Sequence, residues 1–370
     1  MPAVTPFRID VPDAVLDDLK TRLANTRWPE PECVDDWSQG IPLAYTRELA
    51  DYWADGYDWR AREALLNRFD QFTTEIDGLD IHFIHQRSGR PDAFPLIITH
   101  GWPGSVVEFG KVIEPLTDAG FDVVCPSLPG YGFSGKPTAT GWGVERIALA
   151  WDELMGRLGY DRYGAQGGDW GAAVTTQIGR NERGCVAIHT NMPMGRPPKD
   201  LSNPTEEEVA ALERLQYYQR WDSGYSKQQS TRPQTLGYGL VDSPVAQLAW
   251  IVEKFWSWTD CDGHPENVLS RDELLDNVML YWATASGASS ARLYWESFGS
   301  FGSFGGGDPV RLPTGVAAFP KEILRAPRHW CEDVYHITHW TTMPRGGHFA
   351  AFEQPQLFAE DVAAFFDGVR

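Results

Sequence analysis

Strand-like and helix-like segments alternate through the first half of this 370-residue chain. Phe94–Thr99 and Phe121–Cys125 are nearly continuous apolar runs, which is typical of strands buried on both faces. A further short strand, Tyr163–Gln166, ends in glycines. The segments with helical spacing are 105–119, 144–158 and the stretch from Ala172 onward. Because strands that alternate with helices are joined by crossovers, this pattern predicts a mostly parallel central sheet covered on both faces.

The first 75 residues have a different character and are predicted to be helical. Asp10 is predicted to cap a helix that has Pro12 in its first turn, and apolar residues at helical spacing follow it: Val15, Leu16, Leu19 and Leu23. Tryptophans at 28, 37, 53 and 59 are too apolar for a free tail, so we expect this region to pack on a larger body. The same aromatic residues would equally suit the contact of a homodimer.

A hairpin is predicted around Asp77-Gly78, and the alternation that follows it stops near residue 195, at the linker Gly195-Arg196-Pro197-Pro198. The later predicted segments are a helical block over 205–297, a glycine-rich connection over 298–313, strands at Val316–Phe319 and His336–Thr341, and a closing helix over 355–369. The helical block is therefore predicted to be inserted into the α/β domain. The expected units are an N-terminal helical extension packed on the core (1–75), the first part of the core (76–195), a helical lid (196–300) and the second part of the core (301–370).

The charge of the chain restricts its partners. There are 32 Lys and Arg against 51 Asp and Glu, a net charge of −19, which disfavours nucleic acid and anionic membranes as partners.

The five cysteines are widely spaced and form no CxxC motif, so we expect reduced thiols and no metal site. The segment MPAVTPFRID lacks the pattern of a secretory signal, and the predicted location is the cytoplasm. No cofactor is expected.

The segment Gly167-Gly168-Asp169-Trp170-Gly171 stands between a short strand and a helix. This is the nucleophile-elbow pattern with Asp in place of the usual Ser, and its glycines allow a sharp turn that exposes the central side chain. An isolated Asp is more commonly a helix cap. Here, however, the other parts of a hydrolytic site follow in the order that α/β-hydrolases use, which is nucleophile, acid and then histidine.

His348, in Gly346-Gly347-His348-Phe349, fits the place of the histidine. Glu322 follows the strand Val316–Phe319 and is the preferred orienting acid. Its rivals are Asp308, the best alternative, and Glu332 and Asp333. The turn after the strand Phe94–Thr99 is expected to supply an oxyanion-hole amide, so the backbone N–H groups of Trp102 and Trp170 are the candidates. His100 is interpreted as a residue that holds this turn, and His336 and His339 as packing or surface residues.

An ionised carboxylate needs no base to attack, since the reference pKa of Asp is about 3.9. At an alkyl carbon it forms an ester of the enzyme, which His348 could then cleave by deprotonating water. Two leaving groups fit, a halide or the oxygen of an epoxide. An epoxide oxygen needs a proton donor such as a neutral phenol, and the inserted region offers several tyrosines: 217, 218, 225, 238, 281 and 294. Composition alone leaves this choice open.

The chain resembles the microsomal-type epoxide hydrolases in their soluble microbial form, over nearly its whole length. The segments that carry the resemblance are Thr26-Arg27-Trp28-Pro29, HGWPGS at 100–105, Pro129-Gly130-Tyr131-Gly132-Phe133-Ser134, GGDWG at 167–171, Arg232-Pro233-Gln234-Thr235 with Asp242-Ser243-Pro244, Phe319-Pro320-Lys321-Glu322, and GGHFAA at 346–351. The resemblance implies an α/β-hydrolase fold with a mostly parallel sheet, an inserted helical lid and an N-terminal helical extension.

By this resemblance Asp169 matches the nucleophile, His348 the water-activating base and Glu322 the orienting acid. Tyr225, in Ser223-Gly224-Tyr225, and Tyr294, in Arg292-Leu293-Tyr294-Trp295, match the two lid tyrosines that donate to the epoxide oxygen. A cis Trp102–Pro103 bond is also implied. The partners expected are a small-molecule epoxide and water, with no membrane, because no hydrophobic anchor precedes the N-terminal region. A haloalkane dehalogenase and an inactive ligand-binding protein are the alternatives.

Overall fold

A nine-stranded sheet forms the centre of the computed structural model, which describes residues 3–298 and 307–370. The described strands are β1 (Thr5–Phe7), β2 (Gln71–Ile76), β3 (Leu79–Gln86), β4 (Phe94–Thr99), β5 (Phe121–Pro126), β6 (Tyr163–Gly167), β7 (Cys185–Thr190), β8 (Val310–Ala318) and β9 (Tyr335–Thr342). Their order is β1-β2-β3-β5-β4-β6-β7-β8-β9. The pairs from β5 to β9 are all parallel, and β1, β2 and β3 extend one edge antiparallel, which confirms the mostly parallel sheet.

Helices cover the sheet and build the region inserted after β7. Those on the core and the N-terminal region are α1 (Asp13–Ala24), α2 (Leu43–Asp55), α3 (Trp59–Leu66), α4 (Ile113–Asp118), α5 (Val144–Arg157), α6 (Trp170–Asn181), α13 (Arg328–Cys331), α14 (Ala350–Glu353) and α15 (Pro355–Phe366). Those in the inserted region are α7 (Glu206–Tyr217), α8 (Gly224–Thr231), α9 (Pro233–Asp242), α10 (Pro244–Trp258), α11 (Arg271–Ala283) and α12 (Gly287–Phe298). A π-helical turn, Tyr218–Asp222, joins α7 to α8.

Most of the predicted elements are confirmed, including the hairpin, in which Ile76 pairs with Leu79 across Asp77-Gly78. Asp10 does not cap the first helix: α1 begins at Asp13, directly after Pro12, and has no side-chain cap. The predicted helix over 105–119 begins as a 3₁₀ turn, Val106–Lys111, before α4.

Two strands, β1 and β7, have no counterpart among the predicted elements, and a third is longer than predicted. β1 has three residues and is too short for a pattern, while the buried run of β7 contains His189, which breaks its apolar character. β8 begins at Val310, so the predicted connection over 298–313 ends earlier than expected. The central part of that connection, 299–306, lies outside the described residues. The three boundaries between the four predicted units stay a prediction.

The N-terminal region packs against both the sheet and the inserted helices. Trp53 and Trp59 are buried, and the ring of Trp37 stacks on Trp256 of α10 with centroids 4.9 Å apart. Arg62 of α3 binds Asp276 of α11, with its Nη2 2.5 Å from Oδ2. The packing expected of these tryptophans is thus confirmed, and the contacts fix the inserted helices relative to the first 75 residues.

Within 3–298 and 307–370, no helix is both long and apolar enough to cross a membrane. All five cysteines lie in the described residues, and all five are free thiols.

Candidate active site

Asp169 occupies a strained turn between β6 and α6. Its backbone has φ 52° and ψ −129°, a conformation that non-glycine residues adopt rarely and that is typical of strained functional positions. The glycines around it are required by close backbone approach. A Cβ on Gly171 would lie 1.9 Å from the carbonyl oxygen of Thr99, and one on Gly167 would lie 2.1 Å from that of Gly171. The turn therefore holds the Asp169 side chain out of the sheet and out of the helix.

The carboxylate of Asp169 contacts two of the predicted site residues. Its Oδ1 accepts a hydrogen bond of 2.8 Å from the backbone N–H of Trp102, and its Oδ2 lies 3.2 Å from Nε2 of His348. The other ring nitrogen of His348, Nδ1, lies 2.6 Å from Oε1 of Glu322. Glu322 is fixed in turn by the N–H of Ile323, which donates to the same Oε1 at 2.7 Å. The three side chains are thus linked in a row, through an ion-pair contact between Asp169 and His348 and a hydrogen bond between His348 and Glu322.

The electrostatics of this chain favour a charged imidazole. Burial by itself lowers the pKa of His348, but the negative charges of Glu322 and Asp169, with their hydrogen bonds, outweigh it and hold this pKa well above its ordinary value. The raised pKa favours the imidazolium form of His348, which lies between the two carboxylates. Removal of the negative charge of Asp169 would lower the pKa of His348, because that charge is one of those that keep the proton on the ring.

Glu322 lies against His348, and its three rivals do not. Asp308, Glu332 and Asp333 are exposed, and Glu332 forms a surface ion pair with Arg328. His336 is also exposed, while His339 binds Asp361 at 2.9 Å, which agrees with the packing and surface roles expected for both histidines.

The turn that follows β4 is held by His100, as expected. Its Nε2 accepts from the N–H of Leu128 at 3.1 Å, so Nδ1 carries the hydrogen and donates to the carbonyl of Gly101 at 2.9 Å. Burial lowers the pKa of His100 to about 4, which keeps the ring neutral. The Trp102–Pro103 bond is cis, as the resemblance implied. Trp170 is the first residue of α6, where backbone N–H groups lack partners within the helix.

Two of the six tyrosines, Tyr225 of α8 and Tyr294 of α12, are buried together above this turn. The Tyr225 ring stacks on Trp102 at 4.8 Å, and the two tyrosine rings are 5.8 Å apart. Burial raises the pKa of both phenols well above the ordinary value, and the charge of Asp169 raises both further. Tyr217 and Tyr238 are exposed, and Tyr281 donates to the carbonyl of Gly104. The two phenols are thus neutral, and both rings pack against Trp102, whose backbone N–H binds the Asp169 carboxylate.

Two further residues of the site, Glu108 and Glu353, have no role predicted from the sequence, and a third, Tyr218, is predicted only as one of the six candidate tyrosines. The hydroxyl of Tyr218 lies 3.0 Å from that of Tyr225. Glu108 is buried, which raises its pKa to about 8, and it lines a cavity of about 20 Å³ together with Asp169 and His348. Glu353 accepts hydrogen bonds from the N–H groups of Gly347 and Phe349, which flank His348. Glu108 comes from a segment separate from Asp169 and His348, whereas Tyr218 and Glu353 lie within seven residues of the partners named here. No motif in the sequence points to any of the three.

The parallel sheet and the strained Asp169 turn, with His348 ahead of the closing helices, define an α/β-hydrolase. The model of the alpha/beta hydrolase fold matches residues 95–239, and the model described as Epoxide hydrolase N terminus matches residues 4–109. The chain belongs to the epoxide hydrolase family, and it is a hydrolase of that family.

Similarity to known members extends over almost the entire chain. A protein of Stigmatella aurantiaca, whose assigned name of epoxide hydrolase is provisional, is 52% identical over 99% of this chain and 86% of its own length. Epoxide hydrolase 1 of Sus scrofa is 37% identical over 98% of this chain and 88% of its own. The solved structure of Aspergillus niger epoxide hydrolase matches with a TM-score of 0.92 and 35% identity, covering 100% of this chain and 97% of that chain.

Proposed function

We propose that this enzyme opens an epoxide to a vicinal diol through a covalent alkyl ester on Asp169, with Tyr225 and Tyr294 as proton donors and His348 and Glu322 activating water. The observation that carries the proposal is that the Asp169 carboxylate contacts a buried His–Glu pair, while two phenols, Tyr225 and Tyr294, are buried beside Trp102, whose amide binds the same carboxylate. An inactive ligand-binding protein has no need of the Asp169, His348 and Glu322 set, and a halide would be bound better by indole or amide N–H groups than by the phenols. The alternative activities therefore lack a supporting observation of this kind.

In the first step Oδ2 of Asp169 attacks one ring carbon of the epoxide. Oδ1 is held by the Trp102 amide, so it becomes the carbonyl oxygen of the ester. The carbon–oxygen bond of the ring breaks, and its electron pair stays on the oxygen, which takes a proton from Tyr225 or Tyr294. The products are a hydroxyalkyl ester and a phenolate. Because both phenols are buried, this proton transfer takes place away from bulk water.

In the second step His348 takes a proton from water, whose oxygen attacks Cγ of Asp169. Before this, the imidazolium of the free enzyme releases its proton to water, because the ester no longer carries the Asp169 charge that helped to hold that proton, and the neutral imidazole can act as a base. The oxyanion develops on Oδ1, where the Trp102 amide already donates, and the Trp170 amide is the proposed second donor. Collapse expels the diol oxygen, which takes the proton from His348. The acid proton of Asp169 replaces the one that the phenol gave. His348 regains its proton from water once the negative charge of Asp169 is restored.

The substrate class that fits this site is a neutral, bulky, apolar or aryl epoxide. A cavity of about 530 Å³ adjoins the lid tyrosines through Tyr218, and its apolar lining includes Met192, Leu215, Phe298 and Trp330. A neutral substrate also suits a protein with a net charge of −19. The cytoplasmic location and the homodimer stay predictions.

Isotope labelling in a single turnover tests the ester. With enzyme in excess over epoxide in heavy-oxygen water, we expect the first diol to carry ordinary oxygen from Asp169, while the heavy isotope enters the enzyme. Mass spectrometry of the diol and of the peptide that contains Asp169 measures both. Heavy oxygen in the diol of the first turnover would mean direct attack by water and would end the ester proposal.

The lid tyrosines should act on ring opening alone. Tyr225→Phe and Tyr294→Phe are each expected to slow ester formation by about 10- to 100-fold, because general acid catalysis contributes at least this much. Ester hydrolysis should change by less than about threefold, which corresponds to well under 1 kcal/mol. Stopped-flow tryptophan fluorescence, reporting on Trp102 beside Tyr225, separates the two steps. Tyr238→Phe, at an exposed position, is the matched control. Equal losses in both steps would contradict the assignment of Tyr225 and Tyr294 as proton donors.

A further inference from the structure

A third phenol, Tyr218, touches the proposed proton donor and has no role in the scheme above. It is the first residue of the π-helical turn Tyr218–Asp222, and its hydroxyl lies 3.0 Å from the hydroxyl of Tyr225. It also lines the cavity of about 530 Å³ proposed for the substrate. Burial raises the pKa of Tyr218 to about 12, so its hydroxyl carries a hydrogen at neutral pH. Tyr218 thus stands between the cavity and Tyr225.

The count of hydrogens decides the direction of this bond during ring opening. A phenol has one hydrogen to donate and can accept on its oxygen. If Tyr225 gives its hydrogen to the epoxide oxygen, it has none for Tyr218. The bond between the two hydroxyls must then be donated by Tyr218, with the oxygen of Tyr225 as acceptor. Once the proton has moved, that oxygen bears the negative charge of a phenolate.

We infer that Tyr218 is a positioning residue that prepares Tyr225 to act as the acid. By donating to the oxygen of Tyr225, it turns the Tyr225 hydrogen toward the substrate and stabilises the phenolate that forms when the ring opens. The inference rests on the proposed function, since it requires that Tyr225 protonates the epoxide oxygen.

The surroundings of Tyr225 make such a donor necessary. The side chain is buried, so bulk water cannot solvate a phenolate there. The ammonium group of Lys254 lies 4.9 Å from the centre of the Tyr225 ring, but it is already paired with Asp222 at 2.9 Å. A hydrogen bond to a charged oxygen is stronger than one between neutral groups. The hydroxyl of Tyr218, at 3.0 Å, is placed to supply it.

The local backbone accounts for the position of Tyr218. In the π-helical turn the N–H of Ser223 donates to the carbonyl of Tyr218 at 2.8 Å, five residues back rather than four. The wider turn changes the direction of the side chains that follow α7, and single π-helical turns of this kind occur frequently at functional sites. Tyr217, one residue earlier, is exposed, so the two neighbours face different environments.

A double-mutant cycle on the pre-steady-state rates tests the inference. The variants are Tyr218→Phe, Tyr225→Phe and the double variant, with Tyr217→Phe as the matched control at the exposed neighbouring position. Tyr218→Phe should slow ester formation by about tenfold, the loss expected for a hydrogen bond to a charged group, and leave ester hydrolysis within about twofold. When Tyr218→Phe is added to Tyr225→Phe, it should have no further effect on the rate of ester formation, because the Tyr225 oxygen that accepts from Tyr218 is already absent. The control should match the parent enzyme in both steps.

Three outcomes would overturn the inference. One is an unchanged rate of ester formation in Tyr218→Phe. Another is an equal loss in both steps, which would indicate a purely structural contact. The third is an additional loss in the Tyr225→Phe background, which would mean that Tyr218 acts on the substrate directly. Absence of an ester in the parent enzyme would instead refute the proposed function itself. If the ester forms in Tyr225→Phe at the parent rate, Tyr225 is not the proton donor, and the role inferred for Tyr218 is refuted as well.

Discussion

Replacing Asp169 with asparagine should abolish turnover, with a loss of about 10⁴-fold or more, as for removal of a covalent nucleophile. The amide keeps an oxygen that can accept from the Trp102 N–H, so the turn should persist. Asparagine also tolerates a positive φ, such as the 52° at this position, better than most residues. What is lost is the negative charge that attacks carbon, and the loss should therefore fall on ester formation.

The measurement is diol formation together with the intact mass of the variant, because conversion of the asparagine to aspartate would restore the enzyme. Asp169→Ala cannot revert and gives a second reading of the same loss. Asp308→Asn, which removes one exposed carboxylate remote from His348, serves as the control and should retain parent activity. Turnover above about 1% of the parent rate, with reversion excluded, would contradict covalent catalysis by Asp169.

Replacing His348 with glutamine should separate the two half-reactions. Attack by Asp169 on the epoxide does not need a base, so the ester should form, whereas its hydrolysis should slow by about 10²- to 10⁴-fold, the usual contribution of a general base. The enzyme should then accumulate one covalent equivalent of substrate. The peptide that contains Asp169 should gain the mass of the epoxide, and steady-state turnover should fall with the rate of hydrolysis.

His336→Gln is the matched control for this change, since His336 is an exposed histidine on β9. It should turn over normally and show no stable adduct. Recovery of His348→Gln protein without added mass, after exposure to an epoxide that the parent enzyme consumes, would count against His348 as the residue that releases the ester.

The local parts of the fold and of the site could be read from the sequence. The apolar runs of β4 and β5 predicted the parallel sheet because a strand buried on both faces has no polar alternation. Asp169 can be identified because its turn requires glycines within two residues, and those glycines are visible as the local motif GGDWG. His348 followed from chain order once the turn was placed. In each case the physical constraint acts between neighbours along the chain.

The partners within the site were decided by the tertiary structure. Glu322 and Asp308 were both plausible acids in the sequence, and only the fold shows that Glu322 lies 2.6 Å from His348 while Asp308 is exposed. The stacking of Tyr225 on Trp102, and the hydrogen bond that Glu353 accepts from the N–H of Asp260, likewise have no signal in the sequence. Hydrogen bonds form over about 3 Å. The register of the sheet and the packing of the inserted helices decide which side chains from separate segments come within this distance. A pattern of residue types along the chain does not contain that information.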